Sequence, residues 1–147
     1  MTKEKKYILT EETINHEGIT LHRIKAIRDF GNVKTGDLGG WLEEESNLSH
    51  EGDCWIADNA KVFAGASVCC NAYISGNAEI CNYASIGNNA KICDDAKVSH
   101  AAIYHNAKIS DNVQIGETRF ISKEYPRIYS NAKLNGNIRI TGDVRIR

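Results

Sequence analysis

The sequence predicts an all-β fold, a solenoid of short parallel strands, and three observations carry that prediction. From Cys54 to the C-terminus one six-residue unit recurs about sixteen times: a small residue, any residue, Ile or Val, then three polar positions. Ala60–Val62, Ala66–Val68, Ala72–Ile74, Ala78–Ile80, Ala84–Ile86, Ala90–Ile92 and Ala96–Val98 keep the period without a slip. A short fixed period means that each unit buries its apolar positions only by stacking on its neighbours. Apolar side chains two apart, followed by a polar turn, have strand spacing and exclude a helical array. Proline occurs once, at Pro126, while Asn and Gly recur at Asn59, Gly65, Asn71, Asn77, Asn89, Asn106, Asn131 and Asn137. Those residues tolerate the tight or left-handed backbone of a corner.

Three hexads make one triangular coil, each side a short strand, with the Ile/Val and Ala columns filling a narrow core. Two slips interrupt the array: Ala96 to Ala101 is one residue short, and Arg119 to Pro126 is one too long. The hexads then start at 54, 60, 66, 72, 78, 84, 90, 96, 101, 107, 113, 119, 126, 132, 138 and 144. That is about five coils, roughly 25 Å of stack at ~4.8 Å per layer. Residues 1–53 do not repeat and form a capping segment, followed by the repeat region 54–147 within one structural domain. Tyr7–Thr10 and Thr20–Ile27, flanking Asn15-His16-Glu17-Gly18, predict a β-hairpin. Gly36-Asp37-Leu38-Gly39-Gly40 predicts a tight turn; with no following helix it lacks the dipole of a phosphate cradle. A cap is expected because an open solenoid end exposes unpaired backbone.

The net charge of −1 and 25% charged residues give no overall pull towards nucleic acid or membrane. No apolar run is long enough to span a bilayer, and Met1-Thr2-Lys3-Glu4-Lys5-Lys6 does not read as a signal-peptide core, so a cytoplasmic location is expected. Cys54, Cys69, Cys70, Cys81 and Cys93 are odd in number and include no C-x-x-C, which fits free thiols; the vicinal Cys69-Cys70 pair could act as a redox switch. Charge is uneven: residues 1–53 carry 7 basic and 11 acidic side chains, and residues 119–147 carry 7 and 2.

An aliphatic residue, three variable ones and a small residue, repeated in sixes, resembles the hexapeptide-repeat superfamily. The resemblance covers residues 54–147 and implies a left-handed parallel β-helix, an exception to the right-handed rule for parallel crossovers. Arg28-Asp29-Phe30-Gly31 through Gly39-Gly40-Trp41 is also similar to small phage- and prophage-borne members. His100 and His105, in Val98-Ser-His-Ala-Ala-Ile-Tyr-His-Asn-Ala-Lys-Ile109, resemble the His-x₄-His of γ-class carbonic anhydrases. That resemblance implies zinc shared across a trimer interface, with a third His one coil earlier. Asn82 stands at that place, and an amide oxygen is a poor zinc ligand, so no metal is expected. The superfamily's commonest activity, acyl transfer, implies a His general base on a looped-out coil and a C-terminal helix. Neither is legible in this sequence.

The ligand-binding candidates are therefore His100, His105, Asn82 and Tyr104, together with Arg127, Lys133, Arg139 and Arg145. These four cations occupy the outward position of successive hexads and form a basic ring suited to an anionic ligand or an acidic protein surface. The same charges could instead block end-to-end strand addition. Counting outward positions, one face shows Trp55, Tyr73, Lys91, Lys108 and Arg127; a second Lys61, Glu79, Lys97, Gln114 and Lys133; a third Ser67, Ser85, Ala102, Phe120 and Arg139. The small residues of the third face suit a homotrimer contact, and Trp55 with Tyr73 suits a partner. With no catalytic residue and no cofactor legible, the sequence favours a non-enzymatic, phage-type binding protein that holds a small anionic ligand or blocks a host protein. An acyltransferase, a degenerate carbonic-anhydrase-like enzyme and a trimeric spacer are the alternatives.

Overall fold

Each hexad contributes one two- or three-residue strand, and the strands stack in parallel on three faces of a prism. The computed structural model describes residues 4–116 and 123–147. Lys61↔Glu79↔Lys97↔Gln114↔Arg139 runs up the second face, Trp55↔Tyr73↔Lys91↔Lys108↔Lys133 up the first, and Ser67↔Ser85↔Ala102↔Arg127↔Arg145 up the third. Between these outward residues the Ile/Val column points in. Val62, Ile74, Ile80, Ile86, Ile92, Val98, Ile103 and Ile109 are all fully buried, as are Ala60, Ala72, Ala78, Ala84, Ala90, Ala96 and Ala107. A prism this narrow has room for one branched residue per side, and alanine fills the rest.

Parallel stacking begins earlier than the hexad period shows. Strands β1 (Tyr7–His16) and β2 (Ile19–Ala26) form the expected antiparallel hairpin, and β3 (Leu38–Leu42) pairs antiparallel with β2. On its other edge β3 pairs in parallel with the Lys61–Val62 strand, through Trp41↔Lys61 and Leu42↔Val62. Leu48 then bridges in parallel to Val68, so Leu42, Leu48 and Ile56 form a first coil that begins inside the capping segment and ends in the first hexad. Gly40 enters this rung because a Cβ there would collide with the Ala60 carbonyl. The Gly39-Gly40 pair is thus the start of the solenoid.

Lys6, Tyr7, Phe30 and His50 close that first coil. Lys6 is fully buried, its ammonium donating to Cys54 O at 2.7 Å and Gly52 O at 3.2 Å and lying 4.6 Å over the Phe30 ring. Tyr7 stacks on His50 at 4.2 Å and sets its hydroxyl 2.6 Å from Leu48 O. The far end of the hairpin folds onto the second face: Leu21, Trp41 and Phe63 form a second small core, and His16 Nε2 reaches Glu79 Oε1 at 2.7 Å.

The second slip is a larger event than one regained residue. Ladder partners one coil apart differ by 18 residues at Asn77 and Asp95, by 17 at Asn89 and Asn106, but by 25 at Asn106 and Asn131. The chain takes a single step, from the second face at Ile115 to the third at Ile128, with seven residues more than a full coil needs. The hexad expected at Arg119, with its outward Phe120, lies outside the described residues, and Ala102 pairs directly with Arg127. Every later residue moves by one face: Arg127 and Arg145 stand on the third face, Lys133 on the first and Arg139 on the second.

Candidate functional site

The lengthened step joins the second face at Ile115 to the third face at Ile128, and His100 is on the same corner in the coil beneath. Val98 pairs with Ile115 and Ile103 with Ile128, so the five-residue step around His100 lies directly under the interrupted one. His100 makes the short step with a left-handed backbone at φ 47°. Gly116 follows the second-face strand on this corner, and a Cβ there would overlap the Ser99 carbonyl. Where the chain returns, the Tyr125 ring lies 5.3 Å from the His100 imidazole, and the Arg127 guanidinium sits 4.5 Å over that same ring. One coil below, Asn82 donates its amide N–H to Ser99 Oγ at 2.9 Å, while burial pushes the neighbouring Cys81 thiol up. Asn82, Ser99, His100 and Tyr125 thus form one vertical stack, with a half-exposed imidazole at the place where the coil opens.

His105 is not part of it. It stands on the next corner, between the third and first faces, at φ 58°. Its Nδ1 accepts the Ser130 backbone N–H at 3.1 Å, and its backbone N–H donates to Asn88 Oδ1 at 3.1 Å. Asp58, Asp94 and Asp111 play the same acceptor part towards Gly76, Asp111 and Gly136. His105 is therefore a corner residue in a side-chain ladder, with its Nδ1 serving as an acceptor. The two histidines flank opposite edges of the third face and share no centre within one chain. Among the described residues no three His, Cys, Asp or Glu side chains gather where they could hold a metal ion.

Tyr104 stacks on Tyr129 at 5.2 Å with the rings 5° from parallel, an aromatic pair the sequence reading missed because the insertion hid their alignment. Trp55 does point outward, but Phe30 and Tyr7 cover it at 5.3 and 6.4 Å and leave it 3% exposed. It is an anchor for the cap, not a partner contact. Tyr73 remains 41% exposed and lines a cleft of about 610 Å³ with Asp37, Asp53, Asp58 and Lys91. In the basic ring Arg127 and Arg145 stack as expected, and Arg127 also lies 3.4 Å from Asp143. No helix among the described residues is long and apolar enough to cross a membrane.

No family model matches the chain. Over 69 residues it is 38% identical to a protein of Escherichia coli (strain K12) described as an uncharacterized acetyltransferase, YdcK. The match covers 46% of this chain and 21% of that protein, so the chain spans about a fifth of the relative's length. This similarity overturns the reading of the chain as a non-enzymatic binding protein. The structure removes one support of that reading as well, since the coils are in fact interrupted between Ile115 and Ile128.

Proposed function

We propose that this parallel β-solenoid, which resembles the hexapeptide-repeat superfamily, is an acyltransferase working at the corner between Ile115 and Ile128. The observation that carries the reading is the placement of His100 in the coil beneath the lengthened step from Ile115 to Ile128, with the Tyr125 ring against its imidazole. The relative named an acetyltransferase supports the same class. In this reading His100 accepts a proton from an acceptor amine or hydroxyl as the heteroatom attacks the thioester carbonyl of an acyl-CoA. The C–S bond breaks, and the proton passes to the departing thiolate. General-base assistance of this kind contributes roughly 10²–10⁴ in rate. Arg127 and Arg145, on the adjoining third face, supply positive charge for the phosphates of the donor.

A homotrimer fits this placement. Ser67, Ser85 and Ala102 give the third face a flat lower half. Subunits packed there would set a neighbour's wall beside His100.

The test is thiol release from acetyl-CoA against a panel of amino sugars and amino acids, with acetyl-CoA binding followed by calorimetry. Wild-type turnover that falls ~100-fold or more in His100→Asn while binding persists is the expected result. Unchanged turnover in that variant, or a wild type that neither binds acetyl-CoA nor releases thiol, would overturn the reading.

A further inference from the structure

We propose that Cys69 and Cys70 form a bidentate dithiol site for a soft trivalent metalloid of the organic arsenical class. The two sulfurs stand 3.1 Å apart on adjacent residues, Cys69 half-buried and Cys70 exposed. Neither residue can drift, because both are fixed in the ladder. Cys69 N–H donates to Ile86 O at 3.0 Å, and Cys70 O accepts the Cys54 N–H at 3.0 Å. Cys70 holds a left-handed backbone at φ 64°. One coil up, in the column that Tyr104 and Tyr129 fill higher on the prism, stands Gly87. A Cβ there would already touch Cys69 Sγ at 3.4 Å, so a larger residue would crowd the pair.

The geometry favours a bridging atom over a disulfide. Consecutive Cα atoms are ~3.8 Å apart across a trans peptide, whereas disulfides span about 4.4–6.8 Å, so direct closure is strained. An atom inserted between the sulfurs accepts their present separation. Zinc is a poor occupant because it takes four ligands, and among the described residues no third ligand gathers here. Burial also pushes the Cys69 thiol up to about 11, which keeps it protonated and slow towards alkylating agents that need thiolate. A trivalent arsenic dihydroxide is not limited in that way. Two As–O bonds break and two As–S bonds form, each thiol proton leaving with a hydroxide as water, and no atom changes oxidation state. The second As–S bond is intramolecular, which makes the adduct resistant to competing monothiols.

The test treats the reduced full-length chain with phenylarsine oxide and reads intact mass. One adduct per chain is expected, stable in a large excess of 2-mercaptoethanol and released by 2,3-dimercaptopropanol. Cys70→Ser and Cys69→Ser, with unchanged circular dichroism, lose the monothiol-resistant adduct, and Cys93→Ser keeps it. An adduct that survives in Cys70→Ser would place the site elsewhere, for example at Cys54, and overturn the proposal. A wild-type adduct stripped by 2-mercaptoethanol, or a pair that closes to a disulfide and refuses the arsenical, does the same.

Discussion

His105 shows how a residue that reads as chemistry can serve as a corner. Its Nδ1 takes the Ser130 N–H just as Asp94 and Asp111 take their N–H groups, and its φ of 58° lies in the region that Asn and Asp tolerate best. His105→Asn is expected to keep stability within about 0.5 kcal/mol of wild type. His105→Ala loses the acceptor and the tolerance for φ > 0 together, at about 1–2 kcal/mol. Urea denaturation of the two variants measures the difference. The corner asparagines carry a related lesson. Among the left-handed residues, Asp58, Cys70, Asn88, His105 and Ser130 each stand one position before an Asn that the pattern picked out. Asn89, Asn106 and Asn131 instead stack their amides from coil to coil. Composition identified the corner but could not say which of its residues bends and which ladders.

Strands of two residues have almost no independent stability, so each depends on its inward side chain and on the coils above and below. Ile92, between Ile74 and Ile109, is fully buried, while its neighbour Lys91 is exposed. Ile92→Ala is expected to destabilise by about 2–5 kcal/mol, and Lys91→Ala to stay within about 0.5 kcal/mol, both read as shifts in urea midpoint. The element that periodicity missed is β3. Leu38-Gly-Gly-Trp-Leu42 carries a single inward residue of the right kind, and the step from Leu48 to Ile56 is longer than six, so no hexad is visible there. The inserted step was misread for a similar reason. The extra residues of that step have nearly whole-hexad length, and only the pairing of Ala102 with Arg127 shows that every later layer is shifted by one face.

The whole molecule is a stack closed at its first coil by buried polar groups, and pH acts there. Burial holds the His50 imidazole below its ordinary value near 6.5, and Nδ1 accepts the Lys6 N–H at 3.2 Å, so the native state prefers the neutral ring. The unfolded chain then binds the proton more readily. Stability contributed by His50 is complete above about pH 6.5 and is lost as pH falls through the lower folded value. Melting curves are expected to show a lower midpoint as pH drops from 7 to 5, with a shallower slope in His50→Gln. At the level of assembly, light scattering after gel filtration is expected to report a trimer, and Ser85→Arg on the third face to reduce it to a monomer. A monomeric wild type would remove the inter-subunit part of the proposed site.

The prism is legible in the chain: period, strand spacing, inward column and corner chemistry follow from local pattern, because every coil meets only its neighbours. The same pattern also located the superfamily and the histidine at the shortened step. Only the packing of layer on layer settles that the glycine pair opens the first coil, that Trp55 lies under the cap, and that His100 stands in the coil beneath the lengthened step while His105 holds a corner. Those facts depend on which residues share a layer. A layer is fixed by the summed lengths of all the steps before it, and a single insertion of unknown placement leaves that sum undetermined in the chain.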